Sequence, residues 1–77
     1  MKYLDLVELI NERDEYVRSG VHKVMFGAIM SEEKIGDRWQ VIFSEFHTGK
    51  DIADISVREE DLLVHEFVPT DRIPPKP

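Results

Sequence analysis

Hydrophobic and polar residues alternate most regularly between residues 38 and 46. Apolar side chains recur at every second position there and polar side chains fill the positions between them: Trp39, Val41 and Phe43 against Arg38, Gln40 and Ser44. Because successive side chains of a strand point to opposite faces, this period predicts a strand whose apolar side faces the core. A similar alternation over residues 52–57 predicts a half-buried fourth strand.

The N-terminal pattern is open to two interpretations. Apolar residues with helical spacing and abundant charged residues favour a helix over residues 4–18. The same stretch fits a short strand over residues 5–10, with Val7 and Leu9 on one face. We favour the strand, because the segments that follow all have strand patterns. Residues 11–22 are polar and then form a long connecting loop.

Glycines punctuate the next part of the chain. Residues 24–30 are rich in apolar side chains and predict a buried second strand, in which Gly27 indicates a bulge or a sharp bend. The charged residues 31–37 predict a hairpin loop, in which Gly36 is best able to adopt positive φ.

The C-terminal part predicts one more strand and then a break. Residues 58–62 have the polar character of a single helical or 3₁₀ turn, and residues 62–68 form a fifth strand. Residues 69–77 hold all four prolines, so we expect a flexible tail there. The prediction is therefore an all-β, five-stranded domain over residues 1–68.

Composition narrows the possible functions. The chain has 77 residues and no cysteine, which allows one small domain and excludes disulfides and thiolate chemistry. No apolar run is long enough for a membrane helix, and the N-terminal residues lack the apolar stretch of a secretory signal, so we expect a cytoplasmic protein with no membrane association. A formal charge of −6 opposes non-specific attraction to nucleic acid and favours a protein partner.

The predicted order of elements resembles that of small bacterial SH3-like barrels, with a long first loop, tighter later hairpins and one turn before the last strand. The stretch SGVHKVMFGAIMSEEKIGDRWQVIF is similar to the KOW-type element of ribosomal proteins and elongation factors. The residues that carry this resemblance are Gly20–Lys23, Gly27–Ile29, Trp39–Phe43 and Val57–Leu62. It implies a five-stranded SH3-like barrel and an RNA- or ribosome-associated role. The element departs from its family at Val24, where the family has a glycine that lets the backbone approach RNA.

Catalytic and metal chemistry find little support in the sequence. No serine or threonine lies in a nucleophile motif, and no glycine-rich phosphate loop is present, so we predict that the chain is not an enzyme and needs no cofactor. His22, His47 and His65 are the imidazoles available to a metal, but they lack ligand spacing, and no metal site is predicted.

Two binding hypotheses remain. The first is a non-enzymatic adaptor, or an acidic inhibitor or immunity-type protein, that binds a protein partner as a monomer or weak dimer. Its predicted contact residues are Tyr16, Arg18, Lys23, Phe46, His47 and Lys50. Trp39 faces the core, or alternatively joins Tyr16 and Phe46 in an aromatic groove at the barrel rim. The second hypothesis is KOW-like binding of RNA or the ribosome, with Arg18, Lys23 and Lys50 on phosphates.

Overall fold

One antiparallel sheet of five short strands organises the protein. A computed structural model describes residues 1–45 and 48–66. The elements, in chain order, are β1 (Leu6–Leu9), α1 (Asp14–Val17), β2 (Phe26–Ile29), β3 (Arg38–Ser44), β4 (Asp51–Arg58), a 3₁₀ turn (Glu59–Asp61) and β5 (Leu62–His65). The strands lie in the order β4-β3-β2-β1-β5. In this described part of the chain, no helix has the length and apolar character needed to cross a membrane.

The predicted all-β, five-stranded fold is confirmed. β5 follows the 3₁₀ turn and returns to pair with β1, with Leu9 opposite Leu62 and Leu6 opposite His65. This return places β5 at one edge of the sheet and β4 at the other, and both edge strands contribute side chains to one core. The fifth strand is shorter than residues 62–68, because it ends at His65. The proposed tail over residues 69–77 lies outside the described residues.

The core lies on the inner face of the sheet. β3 alternates as its sequence predicts, and Trp39, Val41 and Phe43 are all buried. They pack against side chains from every other strand and from the first loop: Val7, Leu9, Tyr16, Val21, Ile29, Val57 and Leu62. Burying one such side chain contributes about 1.5–3 kcal/mol, so this cluster is the main source of stability. Trp39 is thus a core residue, and its Nε1 donates to Glu59 Oε2 at 2.8 Å.

The N-terminal ambiguity is resolved in favour of a strand. β1 is extended, with Val7 and Leu9 buried on its inner face. A short helix, α1, lies within residues 11–22, which were predicted to be loop throughout. One helical turn is too short to be stable by itself. It is held by the burial of Tyr16, whose side chain joins the core.

The bulge that the sequence suggested at Gly27 is not found there. The register runs without a break through Gly27, which lies between Val7 and Phe43, and the irregularity falls at Phe43 and Ser44 instead. A Cβ on Gly27 would lie 2.6 Å from the carbonyl oxygen of Ile42. The residue is therefore needed for close approach of two backbones.

Positive φ angles occur where turns require them. Gly36 has φ of 64° in the hairpin loop before β3, as predicted, and Gly20 has φ of 85° near the end of the first loop. Val24 also has a positive φ, of 68°. It is the third residue of a turn in which the Met25 amide donates to the His22 carbonyl at 3.2 Å. A left-handed third residue is typical of a type II turn and normally a glycine.

Candidate functional site

An open groove runs along β2 on the outer face of the sheet. Its volume is about 580 Å³. The described residues that line this β2 groove are Leu6, Phe26, Gly27, Ala28, Met30, Ile42, Ser44, Glu45 and Asp51. Most of these side chains are apolar, although the outer face of a small sheet ordinarily carries polar side chains. An apolar concavity of this size on a protein surface is the usual form of a binding site.

The strand register explains the shape of the groove. Leu6 of β1 lies opposite Ala28 of β2, which lies opposite Ile42 of β3. Three side chains thus stand abreast on the outer face, and the smallest is in the middle. A trough with aliphatic walls and a shallow floor results.

Phe26 forms the end of the groove nearest the start of β2. Its side chain is only 3% exposed although it belongs to the outer face. The ring packs against the imidazole of His65 on β5, with centroids 5.1 Å apart. His65 Nε2 is 2.8 Å from Oε1 of Glu8, a buried carboxylate on β1. This arrangement fixes the position of the Phe26 ring.

Polar atoms gather at the same end of the groove, where β3 passes into β4. Ser44 Oγ donates to Asp51 Oδ1 at 3.2 Å, and Thr48 Oγ1 donates to Glu45 Oε2 at 3.2 Å. An ionised carboxylate can accept about four hydrogen bonds, so both groups keep acceptor capacity for a ligand. The rim at this end can therefore hold a cationic group.

A second polar cluster, centred on Asp61, is part of the interior. The Asp61 carboxylate is completely buried. It accepts hydrogen bonds from Arg13 Nε at 2.6 Å, Tyr16 Oη at 2.6 Å and Asn11 Nδ2 at 3.1 Å. Tyr16 Oη in turn accepts from the Arg58 amide at 3.1 Å. These bonds join the first loop to the 3₁₀ turn and leave no space for a substrate.

The ionisation of this cluster supports a structural role. Burial acts to raise the pKa of Asp61, but the hydrogen bonds from Arg13, Tyr16 and Asn11 outweigh it and lower that pKa. Burial, followed by the bond to Asp61, raises the pKa of the Tyr16 hydroxyl. The bond to Asp61 also raises the pKa of Arg13. Neither the carboxylate nor the phenol is therefore poised to exchange protons near neutral pH.

One of the predicted contact residues is buried, and the other described ones lie outside the groove lining. Tyr16 is 1% exposed, so the prediction that it contacts a partner is wrong. Arg18, Lys23 and Lys50 are exposed, but none of them lines the β2 groove. The remaining two predicted residues, Phe46 and His47, lie outside the described residues.

Lys23 and Lys50 are nevertheless at the same end of the sheet. Lys23 belongs to the turn that leads into β2, and Lys50 directly precedes β4. Near this end of β2, Gly27 pairs with Phe43 of β3. The next residue of β3, Ser44, pairs with Asp51 of β4. The two lysines therefore share one end of the sheet with the acidic rim of the groove.

Comparisons with known proteins do not assign the chain to a family. No known family model matches the chain, and no curated protein or solved structure is significantly similar to it. The likeness to the KOW-type element thus rests on the residues quoted above. Among residues 1–45 and 48–66, no group of three metal-ligating side chains is close enough to hold an ion.

The groove residues were not predicted from the sequence, because only the core-facing side of the strands was expected to be apolar. A signal was present in β2, where every residue from Phe26 to Ile29 is glycine or apolar. A continuous apolar run indicates that both faces of a strand are covered or in contact. Applied to Phe26 and Ala28, this rule would have pointed to the outer face.

Proposed function

We propose that the protein is a non-enzymatic protein-binding module and that the β2 groove is its contact surface. The observation that supports this is an exposed trough of aliphatic and aromatic side chains on a chain with a formal charge of −6. Apolar surface exposed in this way costs solubility, and soluble proteins commonly keep it where a partner covers it.

The charge of the protein suggests the kind of partner. Acidic residues outnumber basic residues by sixteen to ten, and two of the acidic residues, Glu45 and Asp51, lie on the groove rim. Complementary charge speeds association and suppresses wrong partners. A partner with a basic surface around an apolar contact fits this pattern, and an adaptor or an acidic inhibitor are both consistent with it.

Capture from a lysate of the source organism with matched variants tests the proposal. Ile42→Lys places a cation in the groove, where Asp54 on the neighbouring strand can pair with it. Ser56→Lys is the control, because it adds the same charge to an exposed position of β4 outside the groove lining. Both variants are first checked by circular dichroism and thermal unfolding.

We expect a protein retained by the native chain and by Ser56→Lys, lost with Ile42→Lys, and unaffected by nuclease. Retention by all three folded chains would refute the groove as the contact surface. Release by nuclease would instead favour the second candidate.

That second candidate is RNA or ribosome association. Lys23 and Lys50 share one end of the sheet, and Val24, at the position where the KOW-type element has a glycine, has a left-handed backbone. A titration with a mixed RNA pool at about 50 mM salt tests this, because phosphate contacts weaken steeply as salt increases. Binding that falls with salt and with alanine at Lys23 and Lys50 would support it, and no binding at low salt would remove it.

A further inference from the structure

The dimensions of the β2 groove specify a ligand, on the condition that the groove is the contact surface as proposed above. The groove follows β2 from Phe26 to Met30, which is four residue steps. At roughly 3.3 Å per residue, it is about 13 Å long. It therefore suits a short extended segment of about four residues.

The cross-section of the groove selects side chains. Leu6 and Ile42 are the walls, Ala28 is the floor, and Phe26 and Met30 are the two ends. In an extended segment, alternate side chains point the same way. Two apolar side chains two positions apart can thus enter the trough, one near Phe26 and the other near Met30.

The two ends of the groove differ in charge, which gives the ligand a direction. Among the lining residues, the two carboxylates, Glu45 and Asp51, lie at the end near Phe26, and Met30 lines the other end. Asp54 lies outside the lining and accepts a hydrogen bond from Gln40. Lys23 and Lys50 lie at the same end of the sheet and partly offset the charge of the lining carboxylates, but neither lysine lines the groove, whereas both carboxylates do. A lysine or arginine just beyond the first apolar side chain would meet these carboxylates.

We propose that the β2 groove binds a linear peptide segment with two alternate apolar side chains and a lysine or arginine next to one of them. The basic residue lies at the Glu45 and Asp51 end. Recognition is by side chains on the sheet face, so strand addition at a sheet edge is not involved. Residues 67–77 include side chains of similar chemistry, Phe67, Val68 and Arg72, so the test must separate this segment from a partner's peptide.

Fluorescence anisotropy with labelled synthetic peptides tests this inference on the full chain. The first probe has a central Leu-Ser-Phe and two flanking lysines. In the second, glutamates replace the lysines, and in the third, serines replace Leu and Phe. We expect the first to bind, the second to bind about tenfold more weakly, and the third not to bind, because exposed charge pairs modify the affinity that apolar burial provides.

Substitutions in the protein test whether the peptide binds in the β2 groove. Ala28→Leu keeps the surface apolar but fills the trough, and it should weaken the first probe at least about tenfold. Glu45→Gln with Asp51→Asn should reduce the preference for lysine over glutamate flanks and leave apolar binding in place. Ser56→Lys should change neither result. Equal binding by Ala28→Leu and the native chain, or equal affinity for both flanks, would overturn the inference.

Two further outcomes separate this inference from the proposed function. If no peptide binds while lysate capture still depends on Ile42, the partner is not a linear segment and only the inference fails. If the first probe binds only after Phe67→Ser and Val68→Ser, the occupant is the chain's own C-terminal segment, which also overturns it. Failure of the proposed function appears separately, as capture that Ile42→Lys leaves unchanged.

Discussion

Leu4 and Val24 occupy equivalent positions on either side of the β1–β2 pair. The Leu4 amide donates to the carbonyl of Ile29, the last residue of β2, and the Val24 amide donates to that of Leu9, the last residue of β1, both at 2.8 Å. Both residues have positive φ, of 72° and 68°. Leu4 is the third residue of a turn that the Asp5 amide closes by donating to the Lys2 carbonyl, as Val24 is in the turn from His22 to Met25. The two turns are thus related by a local two-fold axis near the Val7 and Gly27 pair.

Val24→Gly should stabilise the protein. A non-glycine residue in the left-handed region costs about 1–2 kcal/mol. Glycine removes that cost, but it lowers stability by about 0.5–1 kcal/mol because it increases the entropy of the unfolded chain. Since half of the Val24 side chain is exposed, little burial is lost. We expect a net gain of about 0.5–1 kcal/mol in the free energy of unfolding, measured in urea.

Ile35→Gly is the matched control for this prediction. Ile35 is 77% exposed and is not among the described residues with positive φ. Glycine there should lower stability by about 0.5–1 kcal/mol, because only the entropy cost remains. Equal effects of the two substitutions would show that the strain at Val24 is unimportant.

Gly27→Ala should destabilise the fold more than Gly36→Ala. The added Cβ at residue 27 would meet the Ile42 carbonyl oxygen at 2.6 Å and the Val41 side chain at 2.9 Å. Overpacking of this kind costs about 1–3 kcal/mol. A Cβ on Gly36 meets nothing within 4 Å, so only its φ opposes alanine, at about 1 kcal/mol. Chemical unfolding of both variants, with m-values compared, tests the ranking.

Tyr16→Phe should destabilise the protein without changing its surface. The substitution leaves the buried Asp61 carboxylate short of one donor and the Arg58 amide without its acceptor. Leaving buried polar groups unsatisfied costs about 1–3 kcal/mol. Unfolding followed by the fluorescence of Trp39, the single tryptophan, measures it. Tyr3→Phe, at an exposed position, should change stability by less than about 0.5 kcal/mol.

Stability should fall in acid partly through Asp61. Because its pKa is lower in the folded chain than in the unfolded chain, the carboxylate contributes stability that is complete above the ordinary aspartate pKa. That contribution is lost as the pH falls through the folded value. Asp61→Asn should therefore cost about 1.5–3 kcal/mol at neutral pH and less in acid.

Unfolding free energies at about pH 6 and about pH 3 check this prediction. The difference between the native chain and Asp61→Asn should shrink at the lower pH. Other carboxylates with lowered pKa, such as Glu59 beneath the Trp39 indole, remain in both proteins and cancel in the comparison. A difference that stays constant would mean that folding does not lower the pKa of Asp61.

The local features of this protein were predictable from its sequence. The period of two in β3, the 3₁₀ turn after β4 and the positive φ of Gly36 depend on neighbouring residues. Each follows from the geometry of a strand or a turn, which extends over only a few residues. The sequence alone therefore determined the strand content and the inward side of the central strand.

The position of Tyr16 was decided by the tertiary structure. An aromatic residue among charged neighbours suggested an exposed contact. Its burial depends on Asp61, which is 45 residues away along the chain. No local pattern specifies that two such distant residues will meet, because the return of β5 to β1 sets their distance.

The β2 groove was decided in the same way. Its trough exists because the register aligns Leu6, Ala28 and Ile42 across three strands, with the smallest side chain in the middle. A shift of one residue in either pairing would turn the side chains of the shifted strand to the other face, so the three would no longer stand together. The sequence determined which residues can form strands, and the pairing of those strands determined which residues form a site.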